Sequence, residues 1–439
     1  MGHLRNLKAE YRELLTRLEA GPGVSMPEPK EPRAREGWQE ILEILFSPEE
    51  AALAARLPLM PATLETIADR VQLAPDDLKA RLEVMADKGI VMDLVHPQSG
   101  ETSYLLSPPM VGFFEFSMMR ATDMIPKKRM AQALDAYTHG DETFAREVFG
   151  SGTAIGRALV HETALEEDDM PDVLHWERAT AIIDEARSIG VALCHCRHLA
   201  EHLGKRCDAP IETCLSIDAG ADFVIRRGFG RAIEKKEAMD ILTASRQSGL
   251  VQIADNVRNS PAYLCNCCSC CCVQLSAVSE LPFAAINPSG FQPAVNLDRC
   301  KGCSRCSRAC PIMAISMVAQ RNPAKRKNDL IPRIDADRCI GCGVCADTCR
   351  NYAMVMERRS ERPYVPANVL ERTLRMALER GRLPHLLFDA GASRGSRFLN
   401  GLVRALCALP PVEKAMASEQ VRSRFIRYAL RNVRGLGAN

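Results

Sequence analysis

The sequence lacks the long apolar segments that membrane-spanning and secreted proteins carry. It has no run of 18 apolar residues, since Pro108 and Glu115 interrupt Tyr104–Met119 and Arg404 interrupts Phe398–Val412. The first six residues include the charged Arg5 and lead into no apolar segment, which argues against a secretory signal. The sequence therefore predicts a chain that does not cross a membrane.

Several common catalytic signatures are also missing. Gly228–Ile233 has no third glycine at the position that a dinucleotide loop needs, and neither a Walker-type loop nor a GxSxG elbow occurs. Nothing in the sequence requires NAD, flavin or ATP. Aromatic residues make up only 5% of the 439 residues while apolar residues make up 46%, which predicts two to four helix-rich domains with genuine cores.

Cysteine, in contrast, is abundant. Of the 19 cysteines, all but Cys407 lie between Cys194 and Cys349. An odd number of cysteines concentrated in one region indicates metal ligation and not a disulfide framework. Thiolate-bound iron needs a reducing, oxygen-poor setting, so we expect an anaerobic, cytoplasmic protein.

Two cysteine loops with the same spacing follow each other 39 residues apart. The first contains Cys300, Cys303, Cys306 and Cys310, and the second contains Cys339, Cys342, Cys345 and Cys349. Gly302 and Gly341 occupy the same place in the two loops, where a side chain would crowd a bound group. Neither a zinc finger nor a disulfide scaffold requires this spacing.

This duplicated pattern resembles the bacterial two-[4Fe–4S] ferredoxin domain, over about residues 291–357. The resemblance implies one-electron transfer and a crossed ligand arrangement, in which the fourth cysteine of each loop binds the other cluster. The implied ligands are Cys300, Cys303, Cys306 and Cys349 for cluster 1, and Cys339, Cys342, Cys345 and Cys310 for cluster 2. Arg350 follows Cys349 where the family usually has proline, so we expect a less rigid second turn.

Ten further cysteines form a second field. They are Cys194, Cys196, Cys207, Cys214, Cys265, Cys267, Cys268, Cys270, Cys271 and Cys272. Adjacent cysteines make strained disulfides and oxidise readily, so we expect most of them to ligate metal. If residues 265–272 were extended, Cys265, Cys267 and Cys271 would share one face and the other three the opposite face. The spacing leaves open two more cubes or one larger, non-cubane cluster.

The second field together with the ferredoxin pattern resembles a group of bacterial and archaeal 4Fe–4S binding proteins, over residues 176–358. The resemblance implies iron–sulfur electron transfer and names no substrate. His198 and His202 stand four residues apart on a predicted helix, a spacing that can bind metal, although a structural role is the simpler reading.

Before these regions, residues 37–125 resemble a winged helix-turn-helix. The pattern predicts helices at Trp38–Leu57, Thr63–Val71 and Asp76–Lys88, and a hairpin of Ile90–Leu94 and Thr102–Leu106. The third helix is rich in acidic residues, which repel phosphates, so we expect dimerisation or partner docking and not DNA binding.

The C-terminal region is basic. Residues 361–439 contain 14 lysine and arginine against 6 aspartate and glutamate residues, in a chain of net charge +2. We expect this tail to contact an acidic partner or the inner surface of the membrane.

The sequence as a whole predicts an α+β multidomain iron–sulfur protein. Its parts are an N-terminal helix and linker (1–36), a winged-helix-like domain (37–125), a helical connector (126–175), a Cys-rich α/β cluster-binding domain (176–285), the ferredoxin-like domain (286–358) and a basic helical tail (359–439). The main hypothesis is electron relay to or from a partner oxidoreductase. The alternatives are a reductase with its active site at the Cys194–Cys272 centre and a redox-sensing regulator.

Overall fold

The computed structural model describes residues 7–21, 23–165, 173–281, 283–319 and 330–387. The chain is a mixture of helix and sheet that divides into two compact units. Unit 1 comprises residues 1–114, 133–153 and 366–439, and unit 2 comprises residues 115–132 and 154–365. Both predicted cysteine regions belong to unit 2.

The helices that precede the cysteine regions are α1 (Ala9–Glu19), α2 (Pro32–Leu45), α3 (Pro48–Ala54), α4 (Leu64–Val71), α5 (Pro75–Asp87), α6 (Phe114–Phe116), α7 (Lys127–His139) and α8 (Thr143–Phe149). The later helices are α9 (Ala179–Glu185), α10 (His195–His202), α11 (Ala219–Arg226), α12 (Lys235–Gln247), α13 (Val273–Glu280), α14 (Arg305–Ala309), α15 (Val344–Asp347), α16 (Val369–Glu379) and α17 (Leu383–Leu387).

Unit 1 contains a three-stranded antiparallel sheet. Its strands are β1 (Ala62–Thr63), β2 (Val91–Val95) and β3 (Thr102–Leu106), in the order β1-β3-β2. The predicted helix Trp38–Leu57 is two helices, α2 and α3, because Ser47 caps a new helix: its hydroxyl accepts from the Glu50 N–H and the Glu50 carboxylate accepts from the Ser47 N–H. The next two helices and the hairpin lie within a few residues of their predicted bounds.

Unit 2 is built around a six-stranded antiparallel sheet. Its strands are β4 (Gly156–Ala158), β5 (Ile189–Leu193), β6 (Glu212–Ile217), β7 (Arg231–Ala232), β8 (Val251–Asp255) and β9 (Tyr263–Cys267), in the order β4-β8-β9-β6-β5-β7. Side chains of α9, α12 and the central strands form its apolar core, including Ile183, Leu215, Leu242 and Leu264. The predicted helical connector (126–175) contains β4, which pairs with β8. This part of the connector is therefore a strand and not a helix.

Two short antiparallel ladders frame the duplicated loops. β10 (Phe291–Val295) enters the first loop and pairs with β13 (Met354–Arg358), which leaves the second loop. β11 (Ile315–Ala319) leaves the first loop and pairs with β12 (Leu330–Ile334), which enters the second. Each half of the duplication therefore pairs with the other, and the two loops are brought side by side.

The basic tail is described only in part. It begins with α16, which Asn368 caps by accepting from the Glu371 N–H, and continues to α17. The predicted helical segments beyond residue 387, and Cys407 with them, lie outside the described residues. No helix in the described ranges has the length and apolar character that crossing a bilayer requires.

Candidate metal centres

The eight cysteines of the duplicated loops surround two cavities. One cavity of about 370 Å³ is lined by Cys300, Cys303, Cys306 and Cys349. The other, of about 320 Å³, is lined by Cys310, Cys339, Cys342 and Cys345. Each cavity thus receives three cysteines from one loop and the last cysteine of the other, which is the crossed arrangement that the sequence pattern implies.

Backbone amides point at the sulfur atoms in the same way in both halves. The Gly302 and Gly341 N–H groups donate to Sγ of Cys300 and Cys339, at 3.5 and 3.4 Å. The Ala314 and Ala353 N–H groups donate to Sγ of Cys310 and Cys349, at 3.2 and 3.3 Å. Such hydrogen bonds stabilise thiolates, the form in which cysteine binds metal.

The two cavities differ in exposure. Cys303 is exposed beside the first, whereas Cys342 and Cys345 are buried beside the second. Burial raises the pKa of Cys342 to about 12 and holds that of Cys345 well above its ordinary value. Free thiolates are therefore unfavourable there, and a cationic metal centre would supply the missing compensation. The donor set, the cavities and the amide groups all fit a [4Fe–4S] cluster in each position.

Gly341 is held in a conformation that no other residue suits. Its φ is +69°, and a Cβ would lie 2.1 Å from the Phe291 carbonyl oxygen and 2.3 Å from Ser289 Oγ. Ser289 in turn donates to the Gly341 carbonyl at 2.7 Å, which ties β10 to the second loop. The glycine allows the loop to approach the strand closely.

Gly341→Ala should therefore destabilise unit 2 by about 3 kcal/mol or more, through backbone strain and overpacking together. Gly228→Ala is the matched control, because Gly228 has φ +67° but no atom within 4 Å of the added Cβ. That substitution should cost only about 1 kcal/mol. Anaerobic thermal unfolding of the two variants measures the difference, and equal losses would show that the close approach is unimportant.

The ten cysteines of the second field separate into a group of four and a group of six. In the first group, the Sγ atoms of Cys207, Cys268, Cys270 and Cys271 all lie within 4.8 Å of one another. Within the described ranges, no other set of three or more Cys, His, Asp or Glu residues brings its ligand atoms so close. We call this set the four-cysteine group.

The other six thiols form a series in which each cysteine shifts the pKa of its neighbours. The order is Cys194, Cys196, Cys272, Cys267, Cys265 and Cys214. We call this set the six-cysteine group. Hydrogen bonds from Cys214 and Cys267 hold the pKa of Cys265 well below its ordinary value, and Cys196 and Cys267 have the same effect on Cys272. The pKa values of Cys196, Cys214 and Cys267 are instead raised well above the ordinary value, by contacts with neighbouring thiols and by burial, so favoured thiolates alternate with favoured thiols along the group.

The division follows from where β9 ends. The strand stops at Cys267, residues 268–271 form a turn, and Cys272 caps α13. The turn sends Cys268, Cys270 and Cys271 to one side and returns Cys272 to the side of Cys267. The extended alternation that would join Cys271 to Cys265 and Cys267 therefore does not occur. Neighbouring strands β6 and β9 bring Cys214 beside Cys265, since Leu215 lies opposite Leu264.

Arg197, a basic residue within the first cysteine motif, lies between the two groups. Its side chain is fully buried, and Nη2 donates to Thr213 Oγ1 and to the Asn266 carbonyl. Nε and Nη1 are buried without a hydrogen-bond acceptor. Burial acts to lower the pKa of Arg197, but the charges of Cys194 and Cys268 outweigh it and raise the pKa above its ordinary value. The guanidinium is thus a buried positive charge among thiolates.

The two histidines on α10 bind each other. His198 Nε2 lies 3.1 Å from His202 Nε2, and His198 Nδ1 lies 2.7 Å from the Met118 carbonyl. Burial and the nearby His198 lower the pKa of His202. Neither histidine joins a ligand group among the described residues, so the structural reading of this pair fits the geometry.

A buried histidine adjoins the second loop and was missed from the sequence. The ring of His161 has two partners: Nδ1 lies 2.8 Å from Asp347 Oδ2 and Nε2 lies 3.0 Å from the Leu250 carbonyl. The backbone N–H of His161 donates to the Cys342 carbonyl. Partial burial acts to raise the pKa of Asp347, but the hydrogen bond from His161 outweighs it, and the pKa lies below its ordinary value. No local pattern marks His161, because its partners are distant in the sequence.

Comparison with known proteins bears on the duplicated loops. The family model of the 4Fe–4S dicluster domain matches residues 292–350. No curated protein and no solved structure matches the chain. The match supports iron–sulfur clusters and an iron–sulfur electron-transfer role, and the four-cysteine group adds a metal-binding arrangement outside the matched segment.

Proposed function

We propose that this protein relays single electrons between two ferredoxin-type [4Fe–4S] clusters, a second cysteine-rich centre and a partner oxidoreductase. The observation that carries the proposal is the pair of cavities, each lined by four cysteines in crossed order, within the segment that matches the dicluster domain. A [4Fe–4S] cluster supplies reversible one-electron chemistry. The polypeptide supplies thiolate ligands, amide hydrogen bonds and controlled access to solvent.

The exposure of the two loops suggests a direction for the relay. Cys303 is exposed, and the same loop presents the exposed side chains of Arg299, Lys301 and Arg308. This basic surface favours the approach of an acidic redox partner. The buried Cys342 and Cys345 have no comparable access. We assign the first loop as the entry side for electrons and the second as the inner side.

The inner loop is linked to the six-cysteine group through α13. Arg338, next to Cys339, donates to the Ser279 carbonyl near the end of this helix at 2.9 Å. Cys272 caps its beginning. A helix of eight residues spans about 12 Å. The six-cysteine group therefore lies within about one short helix of the inner loop, a suitable place for the second centre of the relay.

The other partner proposals rest on the sequence. The N-terminal module is proposed to dimerise or to dock a partner protein. The basic tail is proposed to contact an acidic partner or a membrane surface, in a cytoplasmic setting. A redox-sensing regulator is less well supported, because the three exposed acidic residues of α5 (Asp76, Asp77 and Asp87) outnumber its two exposed basic residues (Lys79 and Arg81), while Lys88 is paired with Glu50 at 2.7 Å.

A reductase is the second candidate. Four members of the six-cysteine group, namely Cys194, Cys196, Cys214 and Cys265, keep partial exposure. Oxidation of the reduced protein by a substrate in the absence of any partner would favour the reductase over the relay.

Anaerobic reductive titration tests the relay. The purified protein should take up at least about two electrons per chain, one for each cube of the ferredoxin loops. An EPR spectrum of two interacting spins should accompany them. Cys265→Ser should leave these first electrons in place and remove only the uptake of the six-cysteine group. A protein that takes up no electrons is not a relay.

A further inference from the structure

We propose that the four-cysteine group binds one zinc ion, separate from every iron–sulfur cluster of the protein. The proposal goes beyond electron transfer and does not depend on it. Three of the ligands, Cys268, Cys270 and Cys271, come from the turn after β9, and Cys207 comes from the loop after α10. All four are free thiols.

The sulfur-to-sulfur distances match a single ion. Cys207 Sγ lies 3.7 Å from Cys268 Sγ and 4.0 Å from Cys271 Sγ, and Cys270 Sγ lies 3.7 Å from Cys271 Sγ. A tetrahedron with Zn–S bonds of about 2.3 Å has edges of about 3.8 Å. These three distances, with all four Sγ atoms within 4.8 Å of one another, are close to the spacing that one tetrahedral ion imposes.

The same comparison argues against a cube at this place. Four thiolates that bind four different irons must surround the whole cube, so they stand further apart than four that share one ion. The cysteines of the duplicated loops fit that arrangement, since within the described ranges no three of them form such a close group. The Sγ atoms of the four-cysteine group lie within 4.8 Å of one another, which is the closer arrangement expected of four thiolates that share one ion.

The surroundings also point to a bound ion. Cys270 is exposed and its three neighbours are half-buried, so these thiols do not serve as core packing. Exposed adjacent thiols oxidise readily unless a metal holds them. Next to them lies the fully buried Arg197, whose Nε and Nη1 lack an acceptor. A zinc ion with four thiolates carries a net negative charge that this guanidinium would balance.

Zinc is the ion that best suits this ligand set. Four sulfur ligands in a tetrahedron select zinc or iron–sulfur chemistry, and a site closed by four protein ligands is structural. The ion would cross-link the loop after α10 to the turn 268–271. Because Cys267 and Cys272 flank that turn, this cross-link would fix two members of the six-cysteine group in position.

The test uses the full chain, expressed with both iron and zinc supplied and purified without air. We expect about one zinc per chain, and zinc K-edge X-ray absorption should show four sulfurs at about 2.3 Å. Cys207→Ser should lose at least about four-fifths of the zinc and keep its iron. Cys265→Ser, the matched control in the six-cysteine group, should lose iron and keep its zinc.

A second variant guards against a folding failure of the first. Cys270→Ser changes an exposed side chain, and the EPR spectrum of the ferredoxin clusters reports that the protein is folded. A chelator should remove zinc from this variant several-fold faster than from the unchanged protein. Retention of zinc in Cys207→Ser, or loss of about four irons per chain from it, would overturn the proposal.

Discussion

The double substitution Cys300→Ala with Cys349→Ala should remove about four irons per chain, no more than either single substitution removes. The two cysteines belong to different loops, 49 positions apart, yet both line the 370 Å³ cavity. Loss of one ligand already releases a cube from that cavity, so loss of the second ligand has nothing further to release. The effects of the two substitutions are therefore not additive.

The matched control pairs cysteines of the same loop. Cys300→Ala with Cys310→Ala removes one ligand from each cavity and should release about eight irons. Anaerobic iron analysis of the single and double variants distinguishes the two arrangements. If each loop held its own cube, the pattern would be reversed: the same-loop pair would lose about four irons and the cross-loop pair about eight.

Removal of the buried charge at Arg197 should have the second large effect. Arg197→Met leaves the thiolates of the two groups without their compensating guanidinium, and an uncompensated buried charge costs about 3 kcal/mol or more. For a unit of this size the loss lowers the midpoint of thermal unfolding by roughly 6 to 12 °C. The measurement is thermal unfolding of the metal-loaded protein without air.

Two further variants separate charge from packing. Arg197→Lys keeps the charge but not the planar guanidinium that reaches Thr213 and Asn266. The decrease in its midpoint of thermal unfolding should therefore be intermediate. Arg258→Met, at an exposed position, should leave the midpoint within about 2 °C. Equal losses for the methionine and lysine variants would mean that charge compensation contributes nothing.

The arrangement of the duplicated loops was predictable because their geometry is local and repeated. Three cysteines within seven residues must face one centre, and the second copy of the pattern identifies which residues correspond. The structure places Cys310 and Cys349 at the cavities of the opposite loops, as the pattern implies. Likewise, the hairpin β2–β3 follows from alternation around a turn.

The second field was not predictable to the same depth, because its geometry depends on contacts between distant residues. Whether Cys271 sides with Cys265 or with Cys207 is decided by the end of β9 at Cys267, and the sequence around it carries no turn-forming proline or glycine. Residues 156–158 form the short strand β4 because they pair with β8, far along the chain. The sequence places Arg197 in a cysteine motif beside candidate ligands, and its complete burial is visible only in the structure.

Iron and acid-labile sulfide in protein prepared and kept without air test the central claim most directly. The account predicts a brown protein with at least about eight irons and eight sulfides per chain, and about 16 of each if the six-cysteine group also supports cubes of its own with help from other ligands. A correctly folded, colourless protein that holds zinc or no metal in the duplicated loops would contradict it.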